Sequence, residues 1–114
     1  VLLRGLEPVD GIEVMQRHRR GARPGNEPRA TDLCSGPAKL CQAMRIDRSL
    51  NHAALPRQEA VWIEAGRPVG DAEVVRCPRI GVAYAGDWAD RPLRFLILGN
   101  AHVSVKAAGD RGPG

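Results

Sequence analysis

The chain has 114 residues, enough for one small hydrophobic core, and its 17 basic and 13 acidic side chains give a formal net charge of +4. No apolar run reaches the roughly 18 residues of a membrane span, and no secretory leader is visible, so we expect a soluble, non-secreted protein. The basic residues comprise 15 Arg and 2 Lys. Arginine suits phosphate recognition, but an arginine-rich chain can equally reflect genome base composition, so charge alone identifies no partner.

The N-terminal stretch VLLRGL is apolar, which predicts a buried strand over residues 1–6. The chain opens at Val1 without an initiating Met, which suggests a fragment that begins inside a folded unit. The following stretch, DGIEVMQRHRRG, predicts a helix with Asp10 as N-cap, Glu13 completing a capping box and Gly21 as its stop.

The stretch ARPGNEPRAT, residues 22–31, carries two prolines and a glycine without apolar periodicity, which predicts an exposed loop. After it, LCSGPAKLCQAM predicts a helix from about Gly36 or Pro37 to Met44. Lys39 lies in its first turn, where the helix dipole favours an acid instead. A lysine there becomes useful if an anion such as a phosphate docks at the helix start, and the alternative is a solvated lysine without a partner.

The C-terminal part reads as short strands joined by turns. RIDRSLNHAAL allows one short helical turn, and AYAGDWADRP is predicted to be a loop. The predicted strands are AVWIEAG, EVVRCPRIGV with an interruption at Pro78, RPLRFLILGN, and a short optional strand at HVSV. The terminal KAAGDRGPG should be frayed. Because strands and helices do not alternate regularly, we expect an antiparallel α+β fold rather than a doubly wound sheet.

General catalytic motifs are absent from the sequence, which has no GxGxxG, Walker, HExxH or GxSxG pattern. The three cysteines are odd in number and lack CxxC spacing, which favours apolar packing of reduced thiols at Cys34, Cys41 and Cys77. The histidines are scattered and are predicted to be surface residues rather than catalytic bases: His18, His52 and His102.

Three segments nevertheless combine residues suited to binding. Arg4 lies within an apolar strand, so it faces either solvent, as an edge-strand arginine, or a polar cavity. RIGVAYAGDWADRPLRF places Tyr84 and Trp88 among glycines, either to meet a ligand or to cover the core. SGPAKL supplies the helix start described above.

In chain order, five blocks resemble the C-terminal part of the 3-methyladenine (alkyladenine) DNA glycosylase family: VLLRGLEPVDGIEVM, DLCSGPAKLCQAMRIDRSLN, AVWIEAG, PRIGVAYAGDWADRPLRF and GNAHVSV. The resemblance implies a curved, open barrel-like antiparallel sheet with flanking helices in a single domain whose N-terminal part is missing. Residues 1–106 would be the C-terminal portion of that glycosylase domain, and residues 107–114 would be a flexible tail.

The resemblance also implies an activity in base-excision DNA repair. Such an enzyme flips a damaged purine, such as 3-methyladenine or hypoxanthine, out of the duplex and hydrolyses its N-glycosidic bond with an activated water. No cofactor, metal or Schiff base is implied. The expected partner is double-stranded DNA containing damaged purines, bound by a monomer without membrane contact. The expected location is the cytoplasm, at the nucleoid, in a bacterium, or the nucleus in a eukaryote.

Site residues carry over from the matching blocks. Arg4 matches the arginine that helps orient the water, and Val82 matches a residue whose backbone carbonyl contacts the same water. Leu2 matches a pocket-wall position, and Ala83 and Tyr84 lie at the pocket rim, where the family varies at the position of Tyr84.

Ser35, Gly36 and Lys39 would offer backbone amides and a cation to DNA phosphates, an inference that is partly physical and partly drawn from the resemblance. The family's catalytic glutamate, its minor-groove tyrosine and its base-stacking side chains all correspond to positions upstream of Val1. We therefore expect this chain alone to lack excision activity. One alternative is a non-catalytic basic nucleic-acid-binding module, and another is a fragment that exposes an apolar sheet edge and aggregates.

Overall fold

The computed structural model describes residues 1–21, 25, 27–55 and 60–105, and the chain divides into two compact units, Val1–Gly66 and Arg67–Gly114. The described elements of the first unit are α1 (Ile12–Arg20), α2 (Ala30–Leu33), α3 (Pro37–Met44) and a 3₁₀ turn, Arg48–Leu50. Those of the second unit are β1 (Val74–Cys77), β2 (Arg94–Ile97) and two 3₁₀ segments, Asp71–Glu73 and Ala83–Trp88. The α+β prediction is confirmed, whereas a curved, barrel-like sheet stays a prediction.

Helix α1 places one stripe of side chains against its neighbours. Ile12, Met15, Gln16 and Arg19 recur at the three- and four-residue spacing of one helix face, and all four are half-buried. Ile12 and Met15 pack against the core. The face therefore begins apolar and ends in an arginine.

The predicted N-cap of α1 is wrong by one residue. The helix is preceded by Gly11 in the left-handed conformation, with φ of 73°, and no side chain caps the first turn. Glycine adopts this conformation without steric cost, and it moves the cap one residue beyond Asp10. The predicted stop is confirmed, since Gly21 follows the helix with φ of 61°.

The core of the first unit lies where α2 and α3 meet α1. Its buried members are Leu33, Cys34, Leu40 and Ala43, and it is flanked by half-buried apolar side chains, namely Ile12, Met15, Cys41 and Ile46. Residues 34–36, hereafter the 34–36 turn, join α2 to α3. The turn is therefore anchored at its first residue inside the core.

Helix α3 follows its prediction closely. Gly36 is the extended N-cap residue and Pro37 occupies the first helical position, where its missing N–H costs nothing. The helix ends at Met44, and the next residue, Arg45, is left-handed with φ of 53° and directs its amide to the carbonyls of Cys41 and Gln42. The predicted short turn after α3 is also confirmed, at Arg48–Leu50.

Two predicted strands are wrong. Residues 1–6 and residues 60–66 carry strand-like sequences, but neither segment belongs to a ladder in the described part of the chain. Each segment instead makes one backbone hydrogen bond to the described residues, from Leu6 N–H to Cys34 O at 2.9 Å and from Ile63 N–H to Leu55 O at 2.8 Å. Apolar sequence makes a segment fit for a sheet, but a strand exists only where a neighbour supplies consecutive hydrogen bonds.

The sheet of the second unit is an antiparallel pair. Val75 lies opposite Leu96 on one face, and Arg76 lies opposite Phe95 on the other. Leu96 is buried and Phe95 is exposed, so the two faces differ as expected for a half-covered sheet. Strand β1 stops before Pro78, as predicted, because proline cannot donate to a ladder.

Four other expectations need correction or fall outside the described residues. The predicted loop AYAGDWADRP contains the 3₁₀ segment Ala83–Trp88, which Gly86 interrupts with φ of 61°. Residues 102–105 form no strand in the described part of the chain. The loop predicted over residues 22–31 ends early, because α2 begins at Ala30, and part of it lies outside the described residues. The proposed tail, residues 107–114, lies outside them too.

Within the described ranges, no helix is long and apolar enough to cross a membrane.

Candidate nucleic-acid interface

The start of α3 presents unsatisfied backbone donors. Leu40 donates its amide to Gly36 O at 2.8 Å, but the amides of Ala38 and Lys39 have no hydrogen-bond acceptor among the described residues. Pro37 has no N–H, and no side chain caps this end. The first turn therefore carries the partial positive charge of a helix N-terminus with two donors open to a ligand.

The three residues predicted to contact phosphate lie together at this helix start. Lys39 is exposed, and its Nζ lies 3.5 Å from Ser35 Oγ. Gly36 is half-buried, whereas Ser35 is only 7% exposed, so Ser35 has little surface to offer a large anion. The exposed donors are those of Lys39 and its neighbour Ala38, and the role of Ala38 was not predicted from the sequence.

The segment that carries Arg4 is tied to the same turn. The Leu6 N–H donates to Cys34 O at 2.9 Å. Gly5 lies against that carbonyl too, because a Cβ built on it would be 3.4 Å from the oxygen. Arg4 itself is exposed, and no hydrogen bond or ion pair joins it to the described residues. Leu2 is 68% exposed.

Arg19 of α1 makes the densest set of hydrogen bonds near the turn. Its Nη1 donates to Asp32 O at 2.6 Å and to Leu33 O at 2.9 Å, the carbonyls that precede the turn. Its Nε donates to the side-chain oxygen of Gln42 in α3 at 3.1 Å. One guanidinium therefore bridges the three described helices of the first unit, α1, α2 and α3.

His18 connects α1 to the other end of α3. Its Nδ1 lies 2.8 Å from Ala43 O, and because a carbonyl only accepts, Nδ1 carries the proton. His18 is half-buried, so this hydrogen bond is partly shielded from solvent. The helical spacing of α1 was the available signal for both residues, since Arg19 follows Met15 at four positions and His18 follows it at three.

The remaining predicted site residues belong to the second unit. Val82 is half-buried, and its carbonyl accepts the Ala85 N–H at 2.8 Å. A carbonyl oxygen has two lone pairs, so one further hydrogen bond, for example from a water, is still available. Ala83 is exposed and Tyr84 is 87% exposed, so both side chains are open to a ligand.

Arginine and aromatic side chains also pair in the second unit. The Arg91 guanidinium lies 3.7 Å from the ring centroid of Trp88, and that of Arg76 lies 5.4 Å from the ring of Phe95. Both distances fit cation–π contacts. Trp88 and Phe95 are each more than half exposed, so these pairs lie at the surface.

Three carboxylates have lowered pKa values. The Ser49 hydroxyl and amide lower the pKa of Asp47, and the Arg20 guanidinium is the main cause of the lowered pKa of Glu27. The pKa of Glu73 is lowered by the Gly70 amide and then by Arg67. Hydrogen bonds to a carboxylate favour its charged form, so these three carboxylates each accept hydrogen bonds that hold the local backbone or a neighbouring side chain.

The pKa of the buried Cys34 thiol is shifted in the opposite direction. Burial raises its pKa, and the nearby Arg19 charge offsets part of that effect. The cysteines are free thiols, as predicted for a chain without a disulfide framework. In the described ranges no three His, Cys, Asp or Glu side chains form a cluster that could hold a metal ion.

An open depression of about 530 Å³ follows α3, but none of the predicted site residues lines it. Its walls come from the end of α3 and the 3₁₀ turn after it, namely Cys41, Ile46, Asp47, Arg48, Leu50 and Asn51. The depression is shallow and open to solvent and lies away from the predicted site residues, so it is not the candidate site.

Comparison with known proteins identifies relatives over nearly the whole chain. The sequence profile of the family Methylpurine-DNA glycosylase (MPG) matches residues 1–101. A DNA-3-methyladenine glycosylase of Homo sapiens is 47% identical over 110 residues, which are 92% of this chain and 37% of the relative. The protein of that name from Mus musculus is 44% identical over 110 residues, 92% of this chain and 33% of the relative. The chain thus spans about a third of the length of these relatives.

Proposed function

This chain belongs to the methylpurine-DNA glycosylase family, and we propose that it is part of a base-excision repair enzyme that releases alkylated or deaminated purines from DNA. The observation that carries the proposal is the profile match over residues 1–101, which includes the blocks around Arg4, the 34–36 turn and Val82. The substrate is a duplex with a base of the 3-methyladenine or hypoxanthine type, flipped out of the stack before hydrolysis.

The hydrolysis needs an oriented water. The bond between the sugar and the purine breaks while positive charge develops on the sugar. A water must therefore lie close to the sugar, with one O–H directed to a general base. The Arg4 guanidinium can donate a hydrogen bond to the water oxygen, and the Val82 carbonyl can accept a hydrogen bond from the same water. Arg4 is exposed and without a partner in the described residues, and the Val82 carbonyl keeps one lone pair free, which supports these roles.

The start of α3 would hold the DNA backbone. The free amides of Ala38 and Lys39, the N-cap residue Gly36 and the Lys39 ammonium together suit one phosphate group. Ser35 would act mainly by shaping the turn, because it is buried. Leu2, Ala83 and Tyr84 are exposed and would contribute to the pocket that receives the flipped base.

The general base is not assigned to any residue of this chain. We propose that the catalytic carboxylate belongs to a part of the enzyme that corresponds to the rest of the relatives' length, so this chain alone binds DNA without excising bases. The enzyme would act as a monomer on double-stranded DNA, in the nucleus of a eukaryote or at the nucleoid of a bacterium.

A purely DNA-binding role is the second candidate, and it is favoured by the net charge of +4. The experiment that separates the two uses the product of the complete reading frame that contains Val1. We expect it to release hypoxanthine from a duplex, and we expect Arg4→Gln to slow that release by about a hundredfold or more, because a misplaced water costs about that much. Salt-sensitive binding without any release by the complete product would instead support the binding module.

A further inference from the structure

Arg19 satisfies the carbonyls that end α2. Helix α2 has only four residues, so its own geometry does little to fix where it stops. The Arg19 Nη1 bonds to Asp32 O and Leu33 O, at 2.6 and 2.9 Å, hold the chain at the residue where the 34–36 turn begins. The Nε bond to Gln42 then fixes the guanidinium against α3.

The turn is held on its other side by the N-terminal segment. Leu33 and Cys34 are fully buried, and the Cys34 carbonyl accepts the Leu6 amide at 2.9 Å. A shift of the turn would therefore move both the start of α3 and the backbone next to Arg4. The chain of contacts runs from Arg19 to Leu33, from Cys34 to Leu6, and from there to Arg4.

We propose that Arg19 is a positioning residue: it sets the 34–36 turn, and through the Cys34–Leu6 hydrogen bond it sets the segment that carries Arg4. The proposal deepens the function proposed above, on which its relevance to DNA rests. Arg19 does not contact DNA in this account. It acts through the backbone of the turn, so its loss should weaken DNA binding without removing a phosphate contact.

The arrangement requires the shape of arginine as well as its charge. Nη1 and Nε point in different directions of one rigid plane, and a lysine ammonium at the end of a flexible stem cannot reproduce both contacts. Arg19→Lys therefore keeps the positive charge but cannot make the hydrogen bonds to α2 and to α3 at the same time. Arg17 is the matched control, because it is exposed on the same helix and makes no hydrogen bond or ion pair within the described ranges.

The experiment compares the chain with its Arg19→Lys and Arg17→Lys variants by amide hydrogen exchange and by binding to a duplex over a range of NaCl concentrations. In Arg19→Lys we expect the exchange of the Leu6 amide to rise about tenfold, with helical circular dichroism retained. We expect the affinity for DNA to fall about fivefold at each salt concentration, with an unchanged salt dependence, since no phosphate contact is lost. Arg17→Lys should change neither exchange nor affinity.

Retained protection of the Leu6 amide in Arg19→Lys would overturn the proposal, and so would an equal effect of Arg17→Lys. Loss of helical signal in Arg19→Lys would also overturn it, since Arg19 would then maintain the whole unit rather than the turn. If the unsubstituted chain binds no DNA, the proposed function fails, while the exchange of the Leu6 amide still decides whether Arg19 positions the turn.

Discussion

Leu6 donates its backbone N–H to the carbonyl oxygen of Cys34 over 2.9 Å. This bond joins two segments that are far apart in sequence but are proposed to serve one reaction. One carries Arg4, which would orient the water, and the other leads into α3, which would hold a phosphate. Their relative position inside the first unit thus depends on a backbone contact whose carbonyl belongs to a buried core residue.

Leu33 should dominate the stability of the first unit. Its side chain is fully buried between α1 and α3, so Leu33→Ala removes contacts and leaves a cavity. We expect the free energy of unfolding to fall by about 2–5 kcal/mol, measured by urea denaturation. Leu2→Ala is the control, because an exposed leucine should change it by less than about 0.5 kcal/mol. Equal effects would contradict the core described above.

Lys39 should contribute one phosphate contact. We expect Lys39→Gln to lower the slope of log affinity against log salt by about one, because one fewer counterion is released on binding. The measurement is a series of DNA titrations at increasing NaCl. Arg17→Gln removes the same charge from an exposed position on α1 and should change the slope by less. If both variants change it equally, Lys39 has no specific role.

His18 should stabilise the first unit through its Nδ1–H. His18→Asn can place an amide N–H near the Ala43 carbonyl, whereas His18→Ala leaves that carbonyl without its donor. We therefore expect His18→Ala to be less stable than His18→Asn by about 1 kcal/mol in chemical denaturation. Equal stabilities would mean that the hydrogen bond contributes nothing measurable.

Cys34 should make stability sensitive to alkaline pH. Its pKa is raised in the folded chain above the ordinary value of 9.0, chiefly by burial. A raised pKa means that the contribution is complete below the unfolded pKa and is lost as pH rises toward the folded one. Denaturation midpoints should therefore fall as the pH rises above about 9, and Cys34→Ala should reduce that fall. An unchanged pH dependence in Cys34→Ala would contradict this prediction.

Helices were predictable where sequence and local geometry agree. The stretch PAKLCQAM carries a proline at its first position and apolar residues at helical spacing, and α3 begins and ends where these signals predict. The N-cap of α1 was missed because Gly11 in a left-handed conformation replaced the side-chain cap that Asp10 suggested. Glycine leaves no side-chain signal that would distinguish this geometry in advance.

The strands and the supporting contacts were harder to predict. Residues 1–6 have a strand-like composition, but pairing depends on neighbours that composition does not reveal. Arg19 looked like one basic residue among several at the end of α1, because its bonds to Asp32 O and Leu33 O depend on how α2 folds back. By contrast, the grouping of Ser35, Gly36 and Lys39 follows directly from the helix start.

The most direct test mixes the purified chain with a hypoxanthine-containing duplex. A gel-mobility assay first establishes that the chain binds the duplex, and the abasic sites formed in the bound duplex are then measured. We expect binding that weakens steeply with salt, while the glycosidic bonds stay intact because the chain supplies no general base. Abasic sites formed by the chain alone would contradict the proposed function, since a catalytic carboxylate would then lie within these residues. Failure to bind DNA at low salt would contradict the proposed role of the α3 start.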